Sequence, residues 1–143
     1  MCSSDLEGLA RERQKITFND HLVEKVTDRV QHFGPDALYE RLSLFGTSGL
    51  RLAVLTNAIH VLEINALLAR EDAAWRGLHL RTLARELEAT VLRSADLRVA
   101  VSEEVATQVR SVAPSQRTAV VPNGVDTAAF RDLPSKADRK SVV

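Results

Sequence analysis

The residues of this chain best suited to chemistry are polar groups that close short apolar runs. Glu40 with Arg41, Glu63 with Asn65, Ser102 with Glu103, and Asn123 with Asp126 each end a stretch that reads as a buried strand. If those strands run parallel, all of these residues fall at carboxyl ends, on the edge where open α/β sheets bind ligands. Carboxylates, amides, a hydroxyl and a guanidinium gathered there could grip a hydroxyl- or phosphate-bearing molecule. The plainer account is that strand exits are polar because loops meet water. Glu63 weighs against it, since it interrupts an apolar run where an unpaired charge is expensive. Arg41 or another residue of the same edge is its expected partner.

Other chemistries find little support. No glycine-rich phosphate loop of the GxGxxG or GxxxxGK[ST] kind is present, and Gly46 and Gly49 are too sparse to form one. His21, His32, His60 and His79 show no metal-like pairing and read as solvated or packing residues on helices or at a strand entry. Ser102 lacks a GxSxG elbow and reads as the N-cap of a helix. No catalytic residue and no metal ligand is therefore assigned.

The elements that must hold these groups follow from periodicity. Phe18, Leu22, Val23, Val26, Val30 and Phe33 recur at helical spacing and predict a one-faced helix over residues 17–33, stopped by Gly34-Pro35. A strand is expected at 36–41, a helix at 50–58 and a strand at 59–65. The pattern over 69–95 predicts one long helix with a bend near Gly77, where glycine costs about 1 kcal/mol relative to alanine. A strand at 96–102, a helix at 103–112 capped by Ser102, a turn at 114–117 and a strand at 118–121 complete the series. That last strand runs through Val120-Val121-Pro122-Asn123-Gly124-Val125-Asp126, and Asn-Gly predicts a tight polar loop there. Strands alternating with helices imply an α/β fold, a parallel sheet with right-handed crossovers.

Composition agrees with one soluble domain. The chain has 143 residues, 45% hydrophobic and 27% charged, enough to bury a core. Nineteen Lys and Arg balance nineteen Asp and Glu, so no overall field favours nucleic acid. The single cysteine, Cys2, cannot form an internal disulfide. No apolar run approaches the roughly 20 residues of a membrane span, and the start lacks a signal-peptide pattern.

Both ends carry a separate signature. Cys2-Ser3-Ser4-Asp5-Leu6 can be encoded by TGCTCTTCCGATCT, and Asp138-Arg139-Lys140-Ser141-Val142-Val143 by GATCGGAAGAGCGTCGTG. These strings share a reverse-complementary stretch that resembles a sequencing-library adapter. Residues 1–6 and 138–143 are accordingly expected to be non-native, leaving a partial domain over 7–137. Their removal takes away two charges of each sign and leaves the balance intact. The sheet is expected to lack its opening strands, with 134–136 resembling an interdomain linker.

The order of motifs resembles the retaining glycosyltransferases of family 4, which have the GT-B fold. The matching pieces are Pro35-Asp36-Ala37-Leu38-Tyr39-Glu40-Arg41, then Leu62-Glu63-Ile64-Asn65-Ala66-Leu67-Leu68-Ala69-Arg70-Glu71. They continue with Leu87-Glu88 before Arg93-Ser94-Ala95-Asp96, Ala100-Val101-Ser102-Glu103, and Val120 to Asp126 followed by Phe130. The resemblance implies the second half of a Rossmann-like, acceptor-side N-terminal domain, without the donor domain and its paired glutamates. It implies that Glu63, Asn65 and Glu71 line the acceptor side, and that Asn123, Gly124 and Asp126 form a loop facing the cleft. Arg41 suits an acceptor or phosphate contact. The histidine that often follows this strand in the family is absent after Asn65.

The expected function is that of part of an enzyme moving a sugar from a nucleotide-diphosphate donor to a glycan or lipid-linked acceptor, in cell wall or glycan biosynthesis. This piece would form the acceptor wall and be inactive alone. No cofactor is expected within it; the nucleotide-sugar donor belongs to the complete parent. The expected location is cytoplasmic, and the many arginines over 69–95 allow peripheral contact with the inner membrane face. The alternatives are a non-catalytic α/β binding module, for which a four-stranded sheet with polar exits would suffice, and a sugar epimerase on the same scaffold.

Overall fold

The computed structural model describes residues 3–75 and 77–130. Four parallel strands, β1 (Ala37–Arg41), β2 (Ile59–Ile64), β3 (Leu97–Ala100) and β4 (Thr118–Val120), lie side by side in chain order. Helix α1 (Ser3–Phe33) leads into β1, and α2 (Ser48–Thr56) joins β1 to β2. Helices α3 (Leu68–Trp75) and α4 (Arg81–Ser94) join β2 to β3, and α5 (Glu103–Val112) joins β3 to β4. A 3-10 turn, Thr127–Phe130, follows. This is a Rossmann-like α/β sheet flanked by helices, as the alternation predicts.

Right-handed crossovers that step one way along a parallel sheet put their helices on one face. Burial follows that rule. His60, Leu62 and Ile64 of β2 and Arg98 and Ala100 of β3 are buried, while the residues between them are not. The register aligns Leu62 with Arg98 and Ile64 with Ala100 on the covered face. Tyr39, Val61 and Leu97 form a cross-strand row on the other face, with Tyr39 62% exposed. The core packs Leu62 and Ile64 against Val91, Leu92, Val109 and Ala113 of the α4 and α5 segments. A second cluster joins Phe45, Ala69, Leu78 and Ala84, with Ile16 of α1 packed against it.

Several boundaries differ from expectation. Helix α1 begins at Ser3 rather than residue 17, so the segment read as non-native continues the helix. Its expected apolar face is only partly used: Phe18 is 61% and Phe33 81% exposed. The side that packs inward runs through Glu12, Ile16, Asn19 and Val23, and two of those four are polar. A purely hydrophobic period cannot register such a stripe.

The long helix over 69–95 is two helices. Gly77 adopts φ +68, a left-handed conformation that only glycine takes at little cost, and Leu78 then plugs the second cluster. The strand expected at 96–102 shortens to Leu97–Ala100, because Ser102 turns to cap α5. Residues 121–126 form no tight turn, and Gly124 has no left-handed φ. The proposed linker at 134–136, Cys2 and the segment 138–143 lie outside the described residues.

Candidate functional site

Glu63 finds the partner its position demands. It stands opposite Arg41 in the β1–β2 register, and Arg41 Nε donates to Glu63 Oε1 at 2.9 Å. Tyr39, two residues earlier on the same face, donates its hydroxyl to Glu63 Oε2 at 2.7 Å. The Tyr39 hydrogen bond, supported by Arg41, holds the Glu63 carboxyl below its ordinary range and keeps it anionic. The same bond pushes the Tyr39 hydroxyl upward. Together the three make a fixed acceptor and an exposed guanidinium at the carboxyl edge, suited to hydroxyl or phosphate groups.

Glu40 does not join them. Neighbouring strand residues point to opposite faces, so Glu40 turns under α2 while Arg41 points away from it. Its Oε1 lies 2.9 Å from Nε2 of His60, which is 1% exposed. The carboxylate also presses on Gly49 in the first turn of α2: a Cβ there would lie 2.2 Å from Glu40 Oε2. Glu40 therefore ties β1 to β2 and α2, and His60 is a paired core histidine.

The other candidates spread along the carboxyl edge. Asn65 is exposed just beyond β2. Glu71 lines a cavity of about 450 Å³ between the starts of α3 and α5, with Arg70, Glu104 and Gln108 around it. Ser102 lies at the entry to α5 and spends its hydroxyl on the Val105 amide, 3.2 Å away, as the cap reading requires. Asn123, Gly124 and Asp126 are all exposed. Asp126 Oδ1 accepts from the Ala128 amide at 2.9 Å, so it starts the final 3-10 turn. The structure thus joins Arg41 with Glu63, sets Glu71 in a cavity, and commits Glu40, Ser102 and Asp126 to local structure.

Sequence reading passed over several residues with defined roles. Asn19 is buried on α1 and holds the segment after β1: Oδ1 accepts from the Thr47 and Ser48 amides at 2.9 and 3.1 Å, and Nδ2 donates to Phe45 O at 3.0 Å. Arg70, Glu104 and Gln108 line the Glu71 cavity without a site role read from the sequence. An arginine beside the Glu71 candidate, and an acid and amide one helical turn apart in α5, were the available signals. Among the described residues, no three His, Cys, Asp or Glu side chains stand together as a metal site. None of the described helices is long and apolar enough to cross a membrane.

Comparison with curated proteins finds no match. Residues 10–129 match the family profile described as Glycosyltransferase Family 4, a span that contains the whole sheet and the Arg41–Glu63 pair. The chain belongs to glycosyltransferase family 4.

Proposed function

We propose that this chain forms the acceptor-side wall of a glycosyltransferase of GT-B architecture. The parent enzyme moves a sugar from a nucleotide-diphosphate donor, held by a separate domain, to a glycan or lipid-linked acceptor. The observation that carries the reading is the 450 Å³ cavity at the carboxyl edge of the sheet, where Arg70, Glu71, Glu104 and Gln108 offer donors and acceptors to a polyhydroxylated molecule. The Tyr39–Glu63–Arg41 cluster at the same edge adds an anion and a cation in fixed positions. Catalysis then rests on holding acceptor and donor together and on stabilising the departing diphosphate from the donor side. We further propose that the reaction takes place at the cytoplasmic face of a membrane or in the cytoplasm.

Sugar transfer by the natural protein containing this segment, compared with the 143-residue chain alone, tests the reading. The chain alone gives no turnover with nucleotide sugars. In the natural protein, Arg70→Ala and Glu71→Ala each raise KM for the acceptor about 10-fold, near 1.4 kcal/mol, and leave KM for the donor unchanged. Turnover by the isolated chain, or a rise in the donor KM instead, overturns the assignment.

A further inference from the structure

A second cavity, of about 580 Å³, opens between α1 and the segment after β1. One wall is the α1 stripe Arg11, Gln14, Lys15 and Phe18, whose spacing puts all four on one side of the helix. Ser43 and Ser48 contribute to the other wall, and among the described residues no acidic one lines the space. Among the described residues Lys15 forms no ion pair, and the ion pair of Arg11 is with the exposed Glu7, at 3.6 Å. An exposed pair of that kind is exchanged at little cost for a better anion. Phe18 shows 61% of its surface, which burial of an apolar helix face would not leave.

Hydrogen bonds within the chain brace the wall after β1. Asn19 fixes the segment from Phe45 to Ser48 through three hydrogen bonds, and Phe45 keeps a left-handed φ of 64 while almost fully buried. Holding the walls in place beforehand removes an ordering cost from binding. Two cations and the Gln14 amide next to an aromatic face, with the Ser43 and Ser48 hydroxyls opposite, match a ring that carries polar edges, an apolar face and one anionic group. The volume fits a small molecule, within the usual range of roughly 300–1,000 Å³.

We propose that this cleft binds an anionic monosaccharide, its phosphate or carboxylate between Arg11 and Lys15 and its ring against Phe18. The sugar class rests on the glycosyltransferase reading, but binding here requires no donor and no transfer, so the two proposals fail separately.

Calorimetric titration of the whole chain with glucose 6-phosphate, glucuronate, glucose and inorganic phosphate tests it. At least one anionic sugar binds about 10-fold more tightly than glucose or inorganic phosphate, and the preferred one identifies phosphate or carboxylate as the anion. Lys15→Glu weakens that binding about 10-fold or more, and Phe18→Ala about 5-fold, while both variants keep the parent melting temperature because both side chains are exposed. Absence of saturable binding by either anionic sugar overturns the proposal. So does affinity that survives Lys15→Glu, or inorganic phosphate binding as tightly as the sugar.

Discussion

Arg98 is fully buried on β3 and, among the described residues, pairs with no carboxylate. Its guanidinium instead collects carbonyl oxygens: Nη1 donates to Leu92 O at 3.2 Å and Ala113 O at 3.0 Å, and Nε to Arg117 O at 3.3 Å. Leu92 lies in the last turn of α4 and Ala113 caps α5, so one cation serves two helix C-termini, where the dipole favours positive charge. Burial pulls its pKa below the ordinary value, yet guanidinium remains protonated across the accessible range. Replacing it by methionine keeps the volume and strands those carbonyls in the core. Arg98→Met is expected to lower unfolding free energy in urea by about 3 kcal/mol, and Arg98→Lys to restore less than half, because an ammonium cannot reproduce the planar fork. Equal stability of Arg98→Met and the parent would show that the carbonyls find other partners. Nothing in Leu97-Arg98-Val99 announces this role, since an arginine in a strand usually marks a solvated face. Glu63 and Arg41 were legible because their pairing needs only adjacent strands in register.

At the scale of elements, charges from remote segments finish helices that lack caps of their own. Helix α4 starts after Leu80, which provides no side-chain cap. Glu12 of α1 supplies it: Oε1 accepts from the His79 amide at 2.8 Å and from His79 Nδ1 at 3.1 Å, and Oε2 accepts from the Leu80 amide at 2.7 Å. Glu88 does the same for α3, accepting from the Ala69 amide at 2.9 Å. Helix periods and strand ends were readable from apolar spacing, but these clasps were not, because a glutamate 67 residues from its partner looks like any solvated acid. The clasps also set an acid response. Burial pushes the Glu12 carboxyl upward, but the amide and His79 hydrogen bonds outweigh it and leave it below the ordinary 4.5. A depressed acid adds stability above its unfolded value and loses it as pH falls through the folded one. Glu63 has the same sign, while Glu88, raised by burial, has the opposite sign and favours the fold at low pH. The melting temperature of the parent is expected to fall between pH 5 and pH 3 more steeply than that of Glu12→Gln. Parallel curves for the two would remove Glu12 from the acid response.

Across the described residues as a whole, the helices crowd one side of the sheet and leave the other half-dressed. Parallel sheets ordinarily carry helices on both faces, and their strands are apolar on both. Here β2 alternates His60, Leu62 and Ile64 toward the helices with Ile59, Val61 and Glu63 away from them, and Ile59 remains 54% exposed. In β3, Leu97 and Val99 face the same way as Val61 and stay partly exposed. Residues that read as a buried strand in the sequence are therefore covered by described residues on one side only, which apolar content alone could not disclose. Exposed aliphatic rows of this extent attract apolar dyes. The folded chain is expected to enhance ANS fluorescence at neutral pH without denaturant. Ile59→Thr combined with Val61→Thr should cut that enhancement by about half while the cooperative melt persists, since both residues point away from the core and threonine keeps the β-branched shape. Enhancement unchanged in the double variant would place the dye elsewhere, and no enhancement in the parent would mean that another surface covers this face in solution.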